Sequence, residues 1–350
     1  MLMQTFFAGR KTGTILDAIA RPLVDGKLWI PGRLPKLFPI AQGDLEAHLR
    51  ALQPLFSEID ITEAAERAAI PVDITDLTPT DSVLELWHGP TRSFKDVGVR
   101  FASVLYRDLF PKARVVCATS GDTGAAVADA FGNRSTVVFP EGRISKSQEK
   151  QMRDTNAEVI AMKGDFDLCQ ASVKTWLRRD PCLLSANSIS VARLLPQIAF
   201  HAWAASQRPG RVFVVPSGNL GNAYAAGLAK QMGAPIRQIH IATNANNAVS
   251  LAINQRRSLQ NLGLPRAIKT LATAMDVQKP SNWPRLKSLR DFHELTASHV
   301  LDHEILKAQK KLSEMAYPVC PHTALAYSAA TRMFRSAKIM VVGTACATKF

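Results

Sequence analysis

The sequence predicts an α/β protein whose parallel strands are covered by helices. Two features carry the prediction. From residue 114 onward, short β-branched runs alternate with helical stretches, and strands repeated in this way need crossover connections and pair in parallel. Two of the joints, Thr119-Ser-Gly-Asp-Thr-Gly124 and Ser217-Gly-Asn-Leu-Gly-Asn222, are glycine-rich loops between a strand and a helix. The length, 350 residues with 47% hydrophobic content, suits two domains or one large one around a well-filled core.

Residues 1–75 are mixed. Ile15–Ile19, Leu45–Leu55 and Thr62–Ala69 are spaced as short amphipathic helices, with a turn at Pro31-Gly32 and a stop at Pro71. This stretch carries no visible chemistry and is expected to pack against the next domain. Arg114–Ala118 reads as a strand and Ala125–Phe131 as a helix, then Thr136–Phe139 as a strand and Lys146–Asp154 as a polar helix. Glu158–Met162 and Leu168–Arg179 repeat the pair, as do Leu183–Ala186 and a long apolar-faced helix at Val191–Ser206. The alternation resumes with a buried strand at Arg211–Pro216, a helix at Ala223–Met232 closed by Gly233 and Pro235, and a strand at Ile236–Thr243. Residues 246–300 are less regular. Leu301–Met315 and His322–Ser336 read as helices and Lys338–Gly343 as the last strand.

Forty-three Lys and Arg against 29 Asp and Glu give a net charge of +14. Such a balance suits nucleic acid, an anionic surface or an anionic small molecule. There is no long basic run and no RNA-binding or zinc-finger pattern, so a nucleic-acid partner is not expected. Cys117, Cys169, Cys182, Cys320 and Cys346 are widely spaced without a C-x-x-C, and read as free thiols rather than a disulfide or metal framework. Arg10 and Lys11 interrupt any signal-peptide core, and no apolar run reaches membrane-spanning length. The expectation is a soluble, cytoplasmic protein with no membrane partner and no metal.

The stretch that organises the rest is residues 84–101, centred on Lys95. It comes after an apolar, turn-rich lead, Leu86-Trp-His-Gly-Pro90, and precedes Asp96. A lysine held in a partly apolar pocket loses hydration, its pKa falls, and the free amine becomes a nucleophile for an aldehyde. In the Ser217–Asn222 loop the glycines let backbone N–H groups turn inward at a helix start, which makes a phosphate cradle without a cation. The Thr119–Gly124 loop offers hydroxyls and N–H groups for a carboxylate, or Asp122 and Thr123 as helix caps. Asn187 and Ser188 before a helix that carries Arg193 make a second possible anion site. Thr344 ends the last strand, where open α/β sheets place ligands. His88 and His322 have no placed partner and read as bystanders. Taken singly, each stretch is equally an ordinary turn or a capped helix.

Eight stretches occurring together in order change that balance. His-Gly-Pro-Thr-x-x-Phe-Lys-Asp (88–96), Thr-Ser-Gly-Asp-Thr-Gly (119–124), Pro-Glu-Gly-Arg-Ile-Ser-x-x-Gln-Glu-Lys-Gln-Met (140–152), Asn-Ser-x-x-x-x-Arg-Leu-Leu-Pro-Gln (187–197), Pro-Ser-Gly-Asn-x-Gly-Asn (216–222), Ala-Thr-Asn-Ala-Asn (242–246), Ala-Met-Asp-Val-x-x-Pro-Ser-Asn (274–282) and Pro-His-Thr-Ala-x-Ala-Tyr (321–327) closely resemble the bacterial threonine synthase family. The match runs from about residue 15 to the end.

The resemblance implies a fold-type II, tryptophan synthase β-like enzyme dependent on pyridoxal 5'-phosphate, with two three-layer αβα domains and parallel-rich sheets. It implies an N-terminal segment over 1–80, the lysine segment over 81–113, a smaller mobile domain over 114–206 and a large cofactor domain over 207–350. The reaction implied is the last step of threonine synthesis, O-phospho-L-homoserine and water to L-threonine and phosphate, in a monomer or homodimer. Lys95 would hold the cofactor as a Schiff base, Ser217, Gly218, Asn219, Leu220, Gly221 and Asn222 its phosphate, Asp122 its ring oxygen and Thr344 its ring nitrogen. Ser120 and Thr123 would take the substrate carboxylate, and Asn187, Ser188 and Arg193 the substrate phosphate. Three positions depart from the family's pattern: Ser190 where Asn is usual, Cys320 for Asp and Cys346 for His. Of the three, Ser190 bears most on the assignment of the substrate-phosphate site. A related lyase, a paralogue without turnover and a basic nucleic-acid binder are the rival readings. Lys95 and the Ser217–Asn222 loop speak against the second, and Asn187 and Arg193 against a plain dehydratase.

Overall fold

The computed structural model describes residues 4–40, 43–259, 262 and 265–350. Its core strands are continuous apolar runs rather than alternating ones, because helices cover both faces. In chain order the core elements are β1 (Asp73–Asp76), β2 (Asp81–Glu85), α1 (Lys95–Leu109), β3 (Arg114–Ala118), α2 (Asp122–Phe131), β4 (Ser135–Pro140), α3 (Lys146–Arg153), β5 (Glu158–Met162) and α4 (Phe166–Arg179). They continue with β6 (Leu183–Ser185), α5 (Val191–Leu194), α6 (Gln197–Gln207), β7 (Val212–Pro216), α7 (Gly221–Gln231) and β8 (Gln238–Thr243). The last are α8 (Trp283–Lys287), β9 (Thr296–His299), α9 (Asp302–Glu314), α10 (Pro321–Met333) and β10 (Ile339–Gly343).

The strands form two sheets. One is four-stranded and wholly parallel in the order β5-β4-β3-β6. The other is six-stranded in the order β9-β8-β7-β10-β2-β1, parallel except for the edge pair β1–β2. Each sheet reverses its winding direction once, between β3 and β6 in the first and between β7 and β10 in the second. Such switch points leave a crevice at the carboxyl ends of the strands. The residues at those four ends are Thr119, Ala186, Ser217 and Thr344.

Several local expectations are corrected. Val191–Ser206 is two helices, because Pro196 cannot continue the hydrogen-bond ladder and becomes the cap of α6. Leu45–Leu55 likewise divides into Leu45–Arg50 and Gln53–Phe56 at Pro54. The irregular stretch 246–300 holds a helix at Ala248–Asn254, α8 and β9, and the N-terminal stretch supplies the edge strand β1. Both β1 and β9 are short and carry polar residues, so their pairing is decided by the sheet they join.

Candidate active site

The two crevices open into one cleft, with about 740 Å³ of empty space including its mouth. All the residues expected from the sequence line it: Lys95, Ser120, Asp122, Thr123, the loop at 217–222, Asn187, Ser188, Arg193 and Thr344.

Lys95 is the first residue of α1. The turn before it is knotted by Asp96, whose carboxylate accepts from Thr91 N at 3.0 Å and Thr91 Oγ1 at 2.5 Å. Phe94 N donates to Thr344 O at 2.9 Å, which ties the start of α1 to the end of β10. The Lys95 Nζ lies 3.8 Å from the centre of the Phe94 ring. Burial lowers its pKa to about 8, with the charges of Arg193 and Lys349 acting in the same direction and Asp122 opposing them. At pH 7 roughly a tenth of such an amine is neutral, about 300-fold more than for an ordinary lysine.

The loop after β7 supplies a donor set. Ser217 N closes the sheet by donating to Ala242 O at 3.0 Å. No backbone N–H from Gly218 to Asn222 donates to a protein acceptor among the described residues. Leu220 takes the left-handed conformation, φ +65°, at the start of α7. A branched aliphatic chain rarely adopts it, and such strain gathers at ligand-binding turns. Five N–H groups at a helix N-terminus fit a phosphate dianion.

A second donor set faces it. Arg193 is 4% exposed, yet its guanidinium donates to no protein acceptor and pairs with no carboxylate among the described residues. Burial lowers its pKa to about 10, so it stays charged at neutral pH. A buried, unpaired cation costs several kcal/mol, and an anionic ligand relieves that. Ser188 Oγ accepts from Asn219 Nδ2 at 3.1 Å and Asn282 Nδ2 at 2.9 Å, which leaves its own proton to donate. The Asn187 amide is instead engaged on both sides of Ala118, accepting from its N at 2.9 Å and donating to its O at 2.6 Å. It clamps the loop to β3. Arg285, fully buried, holds the same loop from behind through Ser188 O at 2.9 Å and Ile189 O at 2.8 Å.

The loop after β3 is fastened by Thr119, whose Oγ1 accepts from Gly121 N at 2.9 Å and Gly124 N at 2.8 Å. Gly121 takes φ +131°, a region closed to side chains. The hydroxyls of Ser120 and Thr123 line the cleft without protein partners among the described residues. Burial would raise the Asp122 carboxyl, but the ammonium groups of Lys349 and Lys95 outweigh it and hold it well below the usual carboxylate range.

None of the three departing positions lines the cleft. Ser190 Oγ turns away from the cleft and meets Tyr106 Oη at 2.6 Å. Cys320 caps α10, its Sγ accepting from Thr323 N at 3.4 Å, a place where any short acceptor serves. Cys346 meets Thr348 at the surface side of the last turn. Sequence reasoning missed Gln197 and Lys349 and left His322 as a bystander near the site. His322 lines the cleft and its Nε2 accepts from Ala274 N at 3.1 Å, while burial lowers its pKa to about 4. His88 pairs instead with Glu85 at 2.8 Å. Gln197 stands one turn beyond Arg193, a spacing legible in the sequence. Lys349 carried no local signal.

A parallel fold with a lysine at a helix start beside a phosphate cradle defines a pyridoxal-phosphate enzyme. Residues 84–342 match the family model described as "Pyridoxal-phosphate dependent enzyme". The chain is 37% identical to the threonine synthase of Serratia marcescens over 80% of its length and 70% of the relative's. Its fold superposes on the threonine synthase structure of Escherichia coli with a TM-score of 0.90 and 32% identity, over 99% of this chain and 89% of that one. A pyridoxal-phosphate-bound threonine synthase from Brucella melitensis matches with a TM-score of 0.84 and 27% identity, over 99% of this chain and 89% of that one. The chain belongs to the threonine synthase family of pyridoxal-phosphate-dependent lyases. Among the described residues no helix is long and apolar enough to cross a membrane, and no cluster of metal-ligating side chains occurs.

Proposed function

We propose that the cleft converts O-phospho-L-homoserine and water into L-threonine and inorganic phosphate, in the cytoplasm. One observation carries the reading: a single cleft holds two separate donor sets without protein acceptors, the Gly218–Asn222 amides and the Arg193 guanidinium. One phosphate belongs to the cofactor and the other to the substrate. A lyase acting on an unphosphorylated amino acid has no use for the second.

When bound, the cofactor draws electrons from the substrate's amino-bearing carbon and makes the neighbouring protons acidic. Lys95 would carry it, with Ser217 to Asn222 around its phosphate, Thr344 toward the ring nitrogen and Asp122 toward the ring oxygen. A hydroxyl at 344 leaves that nitrogen free to stay unprotonated. Ser120 and Thr123 would hold the substrate carboxylate. Ser188 and Arg193 would hold the leaving phosphate, and Asn187 would keep their loop on β3. The Lys95 amine takes the Cα proton; a Cβ proton is then lost, and the electron pair left there expels phosphate as the Cγ–O bond breaks. Arg193 stabilises the charge that gathers on the departing phosphate. A proton is delivered to Cγ, and water adds its hydroxyl at Cβ while a proton returns to Cα. The four-stranded unit, residues about 114–206, is the part expected to close over the ligands. Lys174 Nζ already donates across that boundary to Ser281 Oγ at 2.8 Å.

Purified protein loaded with cofactor and given O-phospho-L-homoserine tests the reading. Phosphate and threonine in equal amounts support it. Phosphate with a keto acid, or no phosphate from a coloured protein, refutes it.

A further inference from the structure

Residues 344–349 run back along the turn that precedes Lys95. Ser93 bridges to Ala345 antiparallel, and Cys346 N donates to Arg92 O at 3.1 Å. The segment ends in one 3-10 turn, Ala347–Lys349, which delivers the Lys349 side chain to the interior. Lys349 is 1% exposed. Its ammonium donates to Thr91 O at 2.8 Å and stands 2.8 Å from Asp122 Oδ1. Gln148 Nε2 donates to the same oxygen at 3.0 Å, and Ser145 Oγ donates to Lys349 O at 3.0 Å. The other oxygen, Asp122 Oδ2, has no protein partner among the described residues, and Asp122 lines the cleft.

Lysine is almost never buried to this degree unless a charge holds it. The groups that face the pair are Lys95 and Asp96 on α1, and Cys320 and His322 at the start of α10. Burial by itself favours the neutral form of Asp122, and two ammonium groups reverse that. Lys95 is the reacting amine, so its charge changes during turnover. Lys349 is not among the residues that line the cleft.

We propose that Lys349 is a positioning residue of the active site: its ion pair holds Asp122 as a carboxylate with Oδ1 fixed and Oδ2 offered to the cleft, and so sets the charge met by the polar edge of the cofactor. The inference rests on the reading of Lys95 as the lysine that carries the cofactor. The same pair ties the Lys95 turn to the Asp122 loop of the four-stranded unit, so charge and alignment are delivered by one contact.

The test is the pH midpoint of the visible absorbance change of the cofactor-loaded protein, with Lys349→Met, Lys349→Arg and Asp122→Asn. Without Lys349 the buried carboxyl takes up a proton, the nitrogen at Lys95 loses a nearby anion, and the midpoint falls by about one pH unit, a tenfold loss of proton affinity. Asp122→Asn shifts it in the same direction, and Lys349→Arg returns it toward the wild-type value. Lys349→Gln, which keeps a donor for the Thr91 carbonyl, serves where the methionine variant does not fold. A midpoint that rises in Lys349→Met means that Asp122 stays ionised unaided, and it overturns the proposal, as does an unchanged midpoint. Absence of the visible band from the wild-type protein overturns the reading of Lys95 itself.

Discussion

Gly98 offers the sharpest test of how the two halves of the site are held in register. It lies in the first turn of α1, three residues after Lys95, against the helix that carries Arg193. A Cβ at this position would stand 2.2 Å from Arg193 O and 3.3 Å from its Cγ, where ordinary contact begins at 3.4 Å. The obstacle is backbone, so α1 and α5 would part by roughly 1 Å in Gly98→Ala. Alanine favours a helix interior by ~1 kcal/mol over glycine. Overpacking costs ~1–3 kcal/mol. The two nearly cancel, and the melting temperature should fall by only a few degrees. Catalysis has no such compensation, because a misplacement of about 1 Å between reacting groups can cost ~100-fold. The expected variant is folded, takes up cofactor, and loses about two orders of magnitude in kcat/KM for phosphate release. A loss of less than about threefold at an unchanged melting temperature would refute the argument that α1 and α5 fix the distance between Lys95 and Arg193.

Three further outcomes rest on the same geometry. Apo-protein should capture pyridoxal phosphate at a rate that rises with pH and levels off above about 8, because only the neutral Lys95 amine reacts and burial lowers its pKa to about 8. Stopped-flow absorbance reads this, and a rate still climbing beyond about pH 9.5 would assign Lys95 an ordinary pKa. Arg193→Ala should raise KM for the phosphorylated substrate by on the order of 100-fold while leaving cofactor content intact; a loss of cofactor with an unchanged KM would put Arg193 on the other phosphate. Arg285→Met should destabilise the fold by ~3 kcal/mol or more in denaturant unfolding, since it strands the buried carbonyls of Trp29, Ser188 and Ile189. An unchanged unfolding midpoint would mean that water replaces the guanidinium.

Much of this was legible in the chain because the signals are local. Strands such as Arg114–Ala118 and Glu158–Met162 coincide with their sequence-read bounds, since a β-branched run between turn residues has few alternatives. The parallel α/β class was readable from the alternation of those runs, and the cofactor and enzyme family from eight stretches whose combination resembles threonine synthases. Elements that depend on neighbours were not: β1 and β9 are too short and polar to announce themselves, and Pro196 decides where α5 ends and α6 begins.

The division is clearest at the site. Glycine-rich turns, a lysine before a helix and Asn-Ser ahead of an arginine are short patterns, and the sequence by itself determined them and the chemistry they suit. Which of their groups are free to bind was decided only by the tertiary structure. Asn187 spends its amide on Ala118, Ser190 turns to Tyr106, and the buried Arg193 guanidinium is left without a partner among the described residues. Lys349 reaches Asp122 across more than two hundred residues of chain. No local pattern encodes such a contact, because the charge that stabilises a buried ammonium comes from a different sheet and exists only once the two sheets have closed on each other.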